Sequence, residues 1–174
     1  MTSANVVDSV AELVDIVASA GGELIGRTRL QKTAFLLLAT GLGAEQFKFR
    51  YKHYGPYSES LASTSDMSKI LGSLTEEQRP STWGGTFSVF RTETAPQFEG
   101  SSPRVKLIKI AKAANPIDLE LAATSAFLAF EGHSDPWKET AARKPDKASR
   151  IDSAKNLYAE LMSVNTPKKL PSIV

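Results

Sequence analysis

Apolar residues recur at helical spacing in five separate stretches of the sequence, and this periodicity predicts a mainly helical chain. Thr28 and Ser58 stand where the second and third helices would need N-caps, and Asn115-Pro116 supplies an N-cap and a first-turn proline for the fourth. The predicted helices cover residues 4–19, 28–40, 57–74, 115–131 and 151–161. A single domain of 174 residues can bury a sufficient core without disulfides or a metal.

Two shorter segments alternate apolar and polar residues with the period of a β-strand. FKFRY at 47–51 predicts a short strand, and TFSVFRT at 86–92 predicts one half of a β-hairpin. VKLIKI at 105–110 fits either a strand or the start of a helix. Helices followed by a hairpin are the outline of a winged-helix module, so we expect a mainly α fold with a small β-hairpin (α+β). The winged-helix-like part would cover residues 1–104, a C-terminal helical extension 105–165 and a flexible tail 166–174.

Composition excludes several classes of protein. The chain has no cysteine, which excludes disulfides, thiolate zinc sites and cysteine nucleophiles. The longest apolar run, residues 34–39, is too short to cross a membrane, and the N-terminus lacks the basic-then-apolar layout of a signal peptide. We therefore expect a cytoplasmic protein with no membrane partner. The net charge of +2 neither requires nor excludes nucleic acid.

The sequence contains no convincing catalytic motif. His53 and His133 do not form a helical metal-binding pair, and there is no nucleophile elbow or phosphate-binding loop. Asp118 and Glu120 fall on different faces of a predicted helix, where they would complement the helix dipole. Ser58 beside His53 is more naturally an N-cap than a nucleophile. We predict no enzyme activity, no metal and no cofactor.

The segment FRYKHYGPYSESL at 49–61 concentrates tyrosines and cations around a Gly-Pro turn. Between Arg27 and His53 there are six basic residues and one acidic residue. Such side chains anchor protein interfaces, or they neutralise phosphates while aromatics stack; the tyrosines could instead fill the space between the second and third helices. The residues predicted to contact a partner are Arg27, Arg29, Lys32, Arg50, Lys52, Tyr54 and Tyr57.

Two motifs together resemble a known family. GRTRLQKTAFLL at 26–37 and YGPYSESL at 54–61, with LELAATSAFLAF at 119–130 and ARKP at 142–145, are similar to the YwgA-like and Panacea (SocA-like) group of small bacterial and phage proteins. The Gly-Pro-Tyr-Ser form is closer to the YwgA-like branch. The motif positions expected to be structural are Leu30, Gln31, Gly55, Pro56 and Ser58.

The resemblance implies a compact, mainly helical protein without catalysis. Several Panacea-type proteins are antitoxins that neutralise a partner toxin, and YwgA-like proteins are often regarded as winged-helix-like regulators. Our first hypothesis is therefore a protein-binding module, antitoxin-like or an accessory subunit of a bacterial defence or phage-related complex, with homo-oligomer formation left open. The alternative is a winged-helix DNA-binding regulator, although Lys69 is the single basic residue of the helix that follows Pro56.

Overall fold

A computed structural model describes residues 3–173 of the chain, and within that range the fold is mainly helical with two small antiparallel sheets. The helices are α1 (Ser3–Ser19), α2 (Arg27–Thr40), α3 (Glu59–Ile70), α4 (Pro103–Ala113), α5 (Pro116–Phe130), α6 (Pro136–Arg143) and α7 (Ile151–Ser163), with a 3₁₀ helix at Pro145–Arg150. The strands are β1 (Glu23–Ile25), β2 (Arg50–Lys52), β3 (Gly55–Tyr57), β4 (Thr75–Pro80) and β5 (Thr86–Arg91). The predicted mainly α fold with a small β-hairpin is confirmed.

The three-stranded sheet has the order β1-β5-β4, and all its pairs are antiparallel. Strand β5 is the half of a hairpin predicted at 86–92, and its partner β4 was not predicted; the register runs from Thr75 opposite Arg91 to Pro80 opposite Thr86. The second sheet is the hairpin β2–β3, in which Lys52 lies opposite Gly55. The strand expected at 47–51 therefore begins at Arg50, and Pro56 lies in a strand instead of a helical first turn.

Helix α5 occupies the centre of the core, as its broad apolar surface predicted. It packs against α2, α6, α7 and β3. Leu121, Ala122 and Ala126 are fully buried, and the small alanine side chains let neighbouring helices approach closely. Leu13 and Ile16 from α1 and Leu37 from α2 belong to the same buried cluster. The core is thus a helical layer against which the sheets pack.

Local capping signals locate most of the helix starts. Ser58 Oγ accepts a hydrogen bond from the Leu61 N–H, and Asn115 Oδ1 accepts one from the Ile117 N–H, as predicted. Ser102 caps the helix formed by VKLIKI, which settles the choice between strand and helix. The predicted cap at Thr28 is wrong, because α2 begins at Arg27 after Gly26, which makes no side-chain cap.

The C-terminal segment is packed against the domain, so the prediction of a flexible tail is wrong for residues 166–173. The Lys168 N–H donates to the Thr40 carbonyl at 3.0 Å, and the Tyr158 hydroxyl donates to the Pro171 carbonyl at 2.6 Å. Leu170 is buried in the core cluster. Val174 lies outside the described residues. Over residues 3–173, no helix has the length and apolar character needed to span a bilayer.

Candidate partner-binding site around the two sequence motifs

The two motifs that carry the family resemblance are joined by three hydrogen bonds. The Gln31 amide donates to the Ser58 carbonyl at 2.9 Å and accepts from the Ser58 N–H at 2.8 Å. Lys32 Nζ donates to the Pro56 carbonyl at 2.8 Å. Gln31 and Lys32, from one turn of α2, thus form hydrogen bonds with the backbone groups at the end of β3. No further strand from residues 3–173 pairs with those groups. The motifs therefore act as a joint between α2 and the β2–β3 hairpin.

The five residues predicted to be structural are all buried at this joint. Gly55 shows why one of them must be glycine. Its φ is +84°, and a Cβ at this position would overlap Thr124 Oγ1 on α5. The absence of a side chain therefore lets β3 lie directly against the central helix.

Lys32 is a correction to the predicted contact residues. Its relative exposure is 1%, so it is not an exposed contact residue. Burial lowers the pKa of Lys32 to about 7; nearby Lys144 and Lys147 act in the same direction, while the Glu120 carboxylate opposes them. Lys32 is therefore a buried structural amine whose charge changes near neutral pH.

A group of charged side chains lies behind the joint. The Glu120 carboxylate accepts from Lys144 Nζ at 2.7 Å and from Lys147 Nζ at 2.9 Å. Lys144 Nζ also donates to the His53 carbonyl at 2.7 Å, which ties the C-terminal helices to the β2–β3 hairpin. The sequence predicts only a helix-dipole role for Glu120 and does not reveal this group. The spacing of two lysines three residues apart was its only signal in the sequence.

The prediction that Arg29 contacts a partner is also corrected by the structure. Its Nη1 donates to the carbonyls of Ala111, Lys112 and Ala114 at 2.7–2.8 Å. These carbonyls lie at the end of α4, where the helix has no internal donors for them. Arg29 therefore fastens the end of α4, and its guanidinium is occupied inside the protein.

The remaining predicted cations are exposed but paired. Arg27 Nε donates to the Glu76 carboxylate at 2.6 Å. Arg50 and Lys52 both bond Glu59. Three of the six cations between Arg27 and His53 are thus paired with two acids from later in the chain, Glu59 and Glu76.

Each tyrosine of the Gly-Pro motif has a cation over its ring. The pairs, with the cation-to-centroid distances, are Arg143 over Tyr51 at 4.7 Å, Lys52 over Tyr57 at 4.5 Å and Lys147 over Tyr54 at 5.1 Å. Tyr51 also contacts Phe127 of α5, and Tyr57 is half-buried. Tyr54 is 60% exposed. The interpretation of the tyrosines as space-filling groups therefore suits Tyr51, whereas most of Tyr54 is exposed to solvent.

The motifs border a pocket of about 290 Å³ between α2, α3 and the two hairpins. Its lining includes Arg27, Lys32, Tyr54, Tyr57, Ala62 and Phe90. Glu76, whose side chain is 5% exposed, also lines it. Burial alone would raise the pKa of Glu76, but hydrogen bonds from Arg27, Lys69 and Ser88 outweigh it and lower that pKa to about 2. The pocket thus combines apolar side chains with charged groups, of which Glu76 is buried and Arg27 is exposed.

The geometry gives no support to a catalytic pair of His53 and Ser58. His53 is exposed, whereas Ser58 is fully buried. The Ser58 hydroxyl is engaged by the Ser60 hydroxyl and the Leu61 N–H. No cluster of three His, Asp or Glu side chains suited to a metal ion occurs within residues 3–173.

Comparisons with protein-family models, curated proteins and solved structures gave no match for this chain. The similarity to the YwgA-like and Panacea group therefore stays a prediction from the motifs.

Proposed function

We propose that the chain is a non-catalytic protein-binding module, antitoxin-like or an accessory subunit of a bacterial defence or phage-related complex, which docks its partner over the motif pocket. The observation that carries this proposal is the pocket itself, which brings together the motif residues and an exposed tyrosine. Its volume is near the lower limit of small-molecule sites, roughly 300 Å³, and suits a single anchoring side chain. Interface energy commonly concentrates at such anchors.

The surroundings of the pocket favour a protein partner. Tyr54 is exposed at 60%, and Arg27 presents 63% of its side chain at the rim. Tyrosine and arginine are enriched at protein interfaces because they combine contact area with hydrogen-bonding groups. Arg50 and Lys52 add exposed charge on the adjoining hairpin, where their pairing with Glu59 can be exchanged for pairing with a partner.

We also propose a winged-helix-like architecture for residues 1–104, and the element order supports it. Helix α1, strand β1, helices α2 and α3 and the hairpin β4–β5 follow one another, and β5 lies between β1 and β4. In that arrangement β4–β5 is the wing and α3 stands in the place of a recognition helix. The β2–β3 hairpin is inserted between α2 and α3, where a helix-turn-helix has a short turn.

Helix α3 gives little support to the alternative of DNA binding. Its surface carries Glu59 and Asp66, and its basic side chain, Lys69, is bonded to Asp66 and Glu76. Near its end, Ile70 is 78% exposed. An acidic and apolar surface does not match phosphates, whose recognition needs available cations. We therefore place protein docking above DNA binding.

Affinity purification of the tagged full-length chain from its native host, with nuclease treatment and high salt, tests the proposal. Ala62→Leu fills the pocket from α3 without changing any charge, and Tyr54→Ala removes the exposed ring. Ser63→Leu adds the same side chain at the exposed neighbouring position and is the matched control. We expect the wild type and the control to retain a stoichiometric protein partner, and the two pocket variants to lose it by about tenfold or more.

Two results would overturn the proposal. One is recovery of DNA without a stable protein partner, lost as the salt concentration rises, which would favour the regulator. The other is equal partner retention by Ala62→Leu and wild-type protein, provided that both unfold at similar temperatures. That result would place the interface away from the motif pocket.

A further inference from the structure

A second groove lies between α1 and the end of α3, and it shares no lining residue with the motif pocket. Its volume is about 280 Å³, and its walls include Val7, Val10, Val14, Leu71 and Ala95. Val7 is 64% exposed and Leu71 is 60% exposed. Clustered apolar side chains of this kind on a soluble domain mark interaction surfaces.

The apolar surface continues along the last turn of α3. Met67 and Ile70, which lie four and one residues before Leu71, are 38% and 78% exposed. On a helix, residues three and four apart are neighbours, so Met67 lies beside both Ile70 and Leu71. The groove and this turn together offer a strip of apolar surface rather than an isolated exposed residue.

Exposed acids stand next to lining residues of the groove although the whole chain carries a net charge of +2. Residues 3–20 contain three acids and no lysine or arginine. Two of these acids, Glu12 and Asp15, are held by Arg104. Asp8 follows Val7, and Glu93 precedes Thr94 in the opposite wall; both are exposed and make no ion pair with any residue from 3 to 173. The groove therefore combines a mainly apolar lining with an exposed acid beside each of two lining residues, Val7 and Thr94.

We propose that this groove binds a basic amphipathic helix of a protein partner. Apolar residues at every third or fourth position would enter between Val7 and Leu71, and lysines or arginines of the same helix would face Asp8 and Glu93. A second copy of this chain is a poorer occupant, because a two-fold contact would place the acidic edges against each other. Phosphate-rich partners are disfavoured by the same charges.

A synthetic peptide pair provides the test. A fluorescent leucine-lysine peptide of about four helical turns is compared with a leucine-glutamate peptide of equal length and apolar pattern, and binding to the full-length protein is followed by anisotropy. We expect the basic peptide to bind at least about tenfold more tightly, and raising the salt concentration should reduce that preference.

Surface variants locate the binding site without threatening the fold. Leu71→Ser and Val7→Ser should each weaken binding of the basic peptide by about fivefold to tenfold, because each removes an exposed apolar contact. Trp83→Ser removes a side chain of 77% exposure at the tip of the β4–β5 hairpin, away from the groove, and should leave binding unchanged. The double variant Asp8→Asn, Glu93→Gln should lower the preference for the basic peptide.

Three outcomes would overturn this inference. The first is equal affinity of the protein for both peptides. The second is an equal loss of peptide affinity in Trp83→Ser and Leu71→Ser. The third is a dimer, seen by sedimentation, that Leu71→Ser dissociates, because a second copy would then be the occupant of the groove. The Ala62→Leu variant should bind the peptide normally. Failure of the motif pocket and failure of this groove can therefore be distinguished.

Discussion

Replacing Lys32 with methionine should remove a pH dependence of stability that comes from one buried amine. Lys32 is 1% exposed, and burial lowers its pKa from 10.5 to about 7. The charged groups around it are Glu120, Lys144 and Lys147, whose effects are opposed to one another. Methionine has a similar length and no charge, so the variant leaves these neighbours in place.

The sign follows from the protons bound by each state. The pKa of Lys32 is lower in the folded protein, so between about pH 7 and pH 10.5 the unfolded chain binds one proton more than the native state. The cost of burying the charged amine is fully present below the folded pKa and is relieved as the pH rises. This contribution raises the free energy of unfolding by about 1 kcal/mol per pH unit, or roughly 2–3 kcal/mol from pH 6 to pH 9.

Urea unfolding followed by circular dichroism at several pH values measures this contribution. The free energy of unfolding of the wild type minus that of Lys32→Met should increase by roughly 2–3 kcal/mol over that range. The variant also leaves the Pro56 carbonyl without its donor, at a cost of about 1–3 kcal/mol that does not depend on pH. The pH-dependent part of the difference in unfolding free energy therefore reports on the charge of the Lys32 amine.

Lys48→Met controls for the loss of a lysine, because that residue is exposed. A difference between the wild type and Lys32→Met that stays constant with pH within about 0.5 kcal/mol, or that falls as the pH rises, would refute the reasoning. Should the variant fail to fold, NMR titration of the wild-type lysine Nζ groups gives the answer directly. A titration midpoint of Lys32 above about pH 9.5 would also refute the reasoning.

Three further perturbations test the packing around the site. Gly55→Ala should lower the free energy of unfolding by at least about 2 kcal/mol through its positive φ and its overlap with Thr124, and adding Thr124→Ala should restore only part of that loss. Glu120→Gln leaves two lysines without their shared carboxylate and should cost about 3–5 kcal/mol in urea unfolding; a loss under about 1 kcal/mol would contradict the assigned pairing. Truncation before Pro167 removes buried Leu170 and should cost about 2 kcal/mol, whereas an unchanged melting temperature would show that the tail contributes nothing.

Helices with long apolar periodicity could be predicted from the sequence because their signal is local. The pattern of α1 and the Asn115-Pro116 start of α5 both gave correct elements. VKLIKI could not be assigned because a run of six residues fits both periods; Ser102, three residues before it, supplies the cap. The error at Thr28 has a tertiary cause. Gly26 has a φ of +99° and donates its N–H to Ser88 of β5, so the helix starts where β1 leaves the sheet.

Exposure within the candidate site could not be predicted, because a polar side chain in a helix is ordinarily assigned to its solvated face. Residues 30–36 of α2 are buried on every side, which removes the solvated face that the sequence suggested for Lys32. The partners that make this burial tolerable come from the Gly-Pro turn, more than twenty positions later in the chain. Leu170 was missed for a related reason, since a single leucine among prolines and lysines has no periodicity.

The position of the motif residues limits what the family resemblance can imply about function. Gln31, Lys32, Gly55 and Ser58 are buried and bind the chain's own backbone or pack against its central helix. Proteins that share these residues should therefore share the joint and the fold around it. Exposed positions such as Tyr54 would determine which partner binds. The joint holds these positions in place, but the residue types found there can differ between proteins that share the joint. Two proteins with the same motifs can consequently bind different partners, so the proposed antitoxin-like role must be tested at the pocket rim.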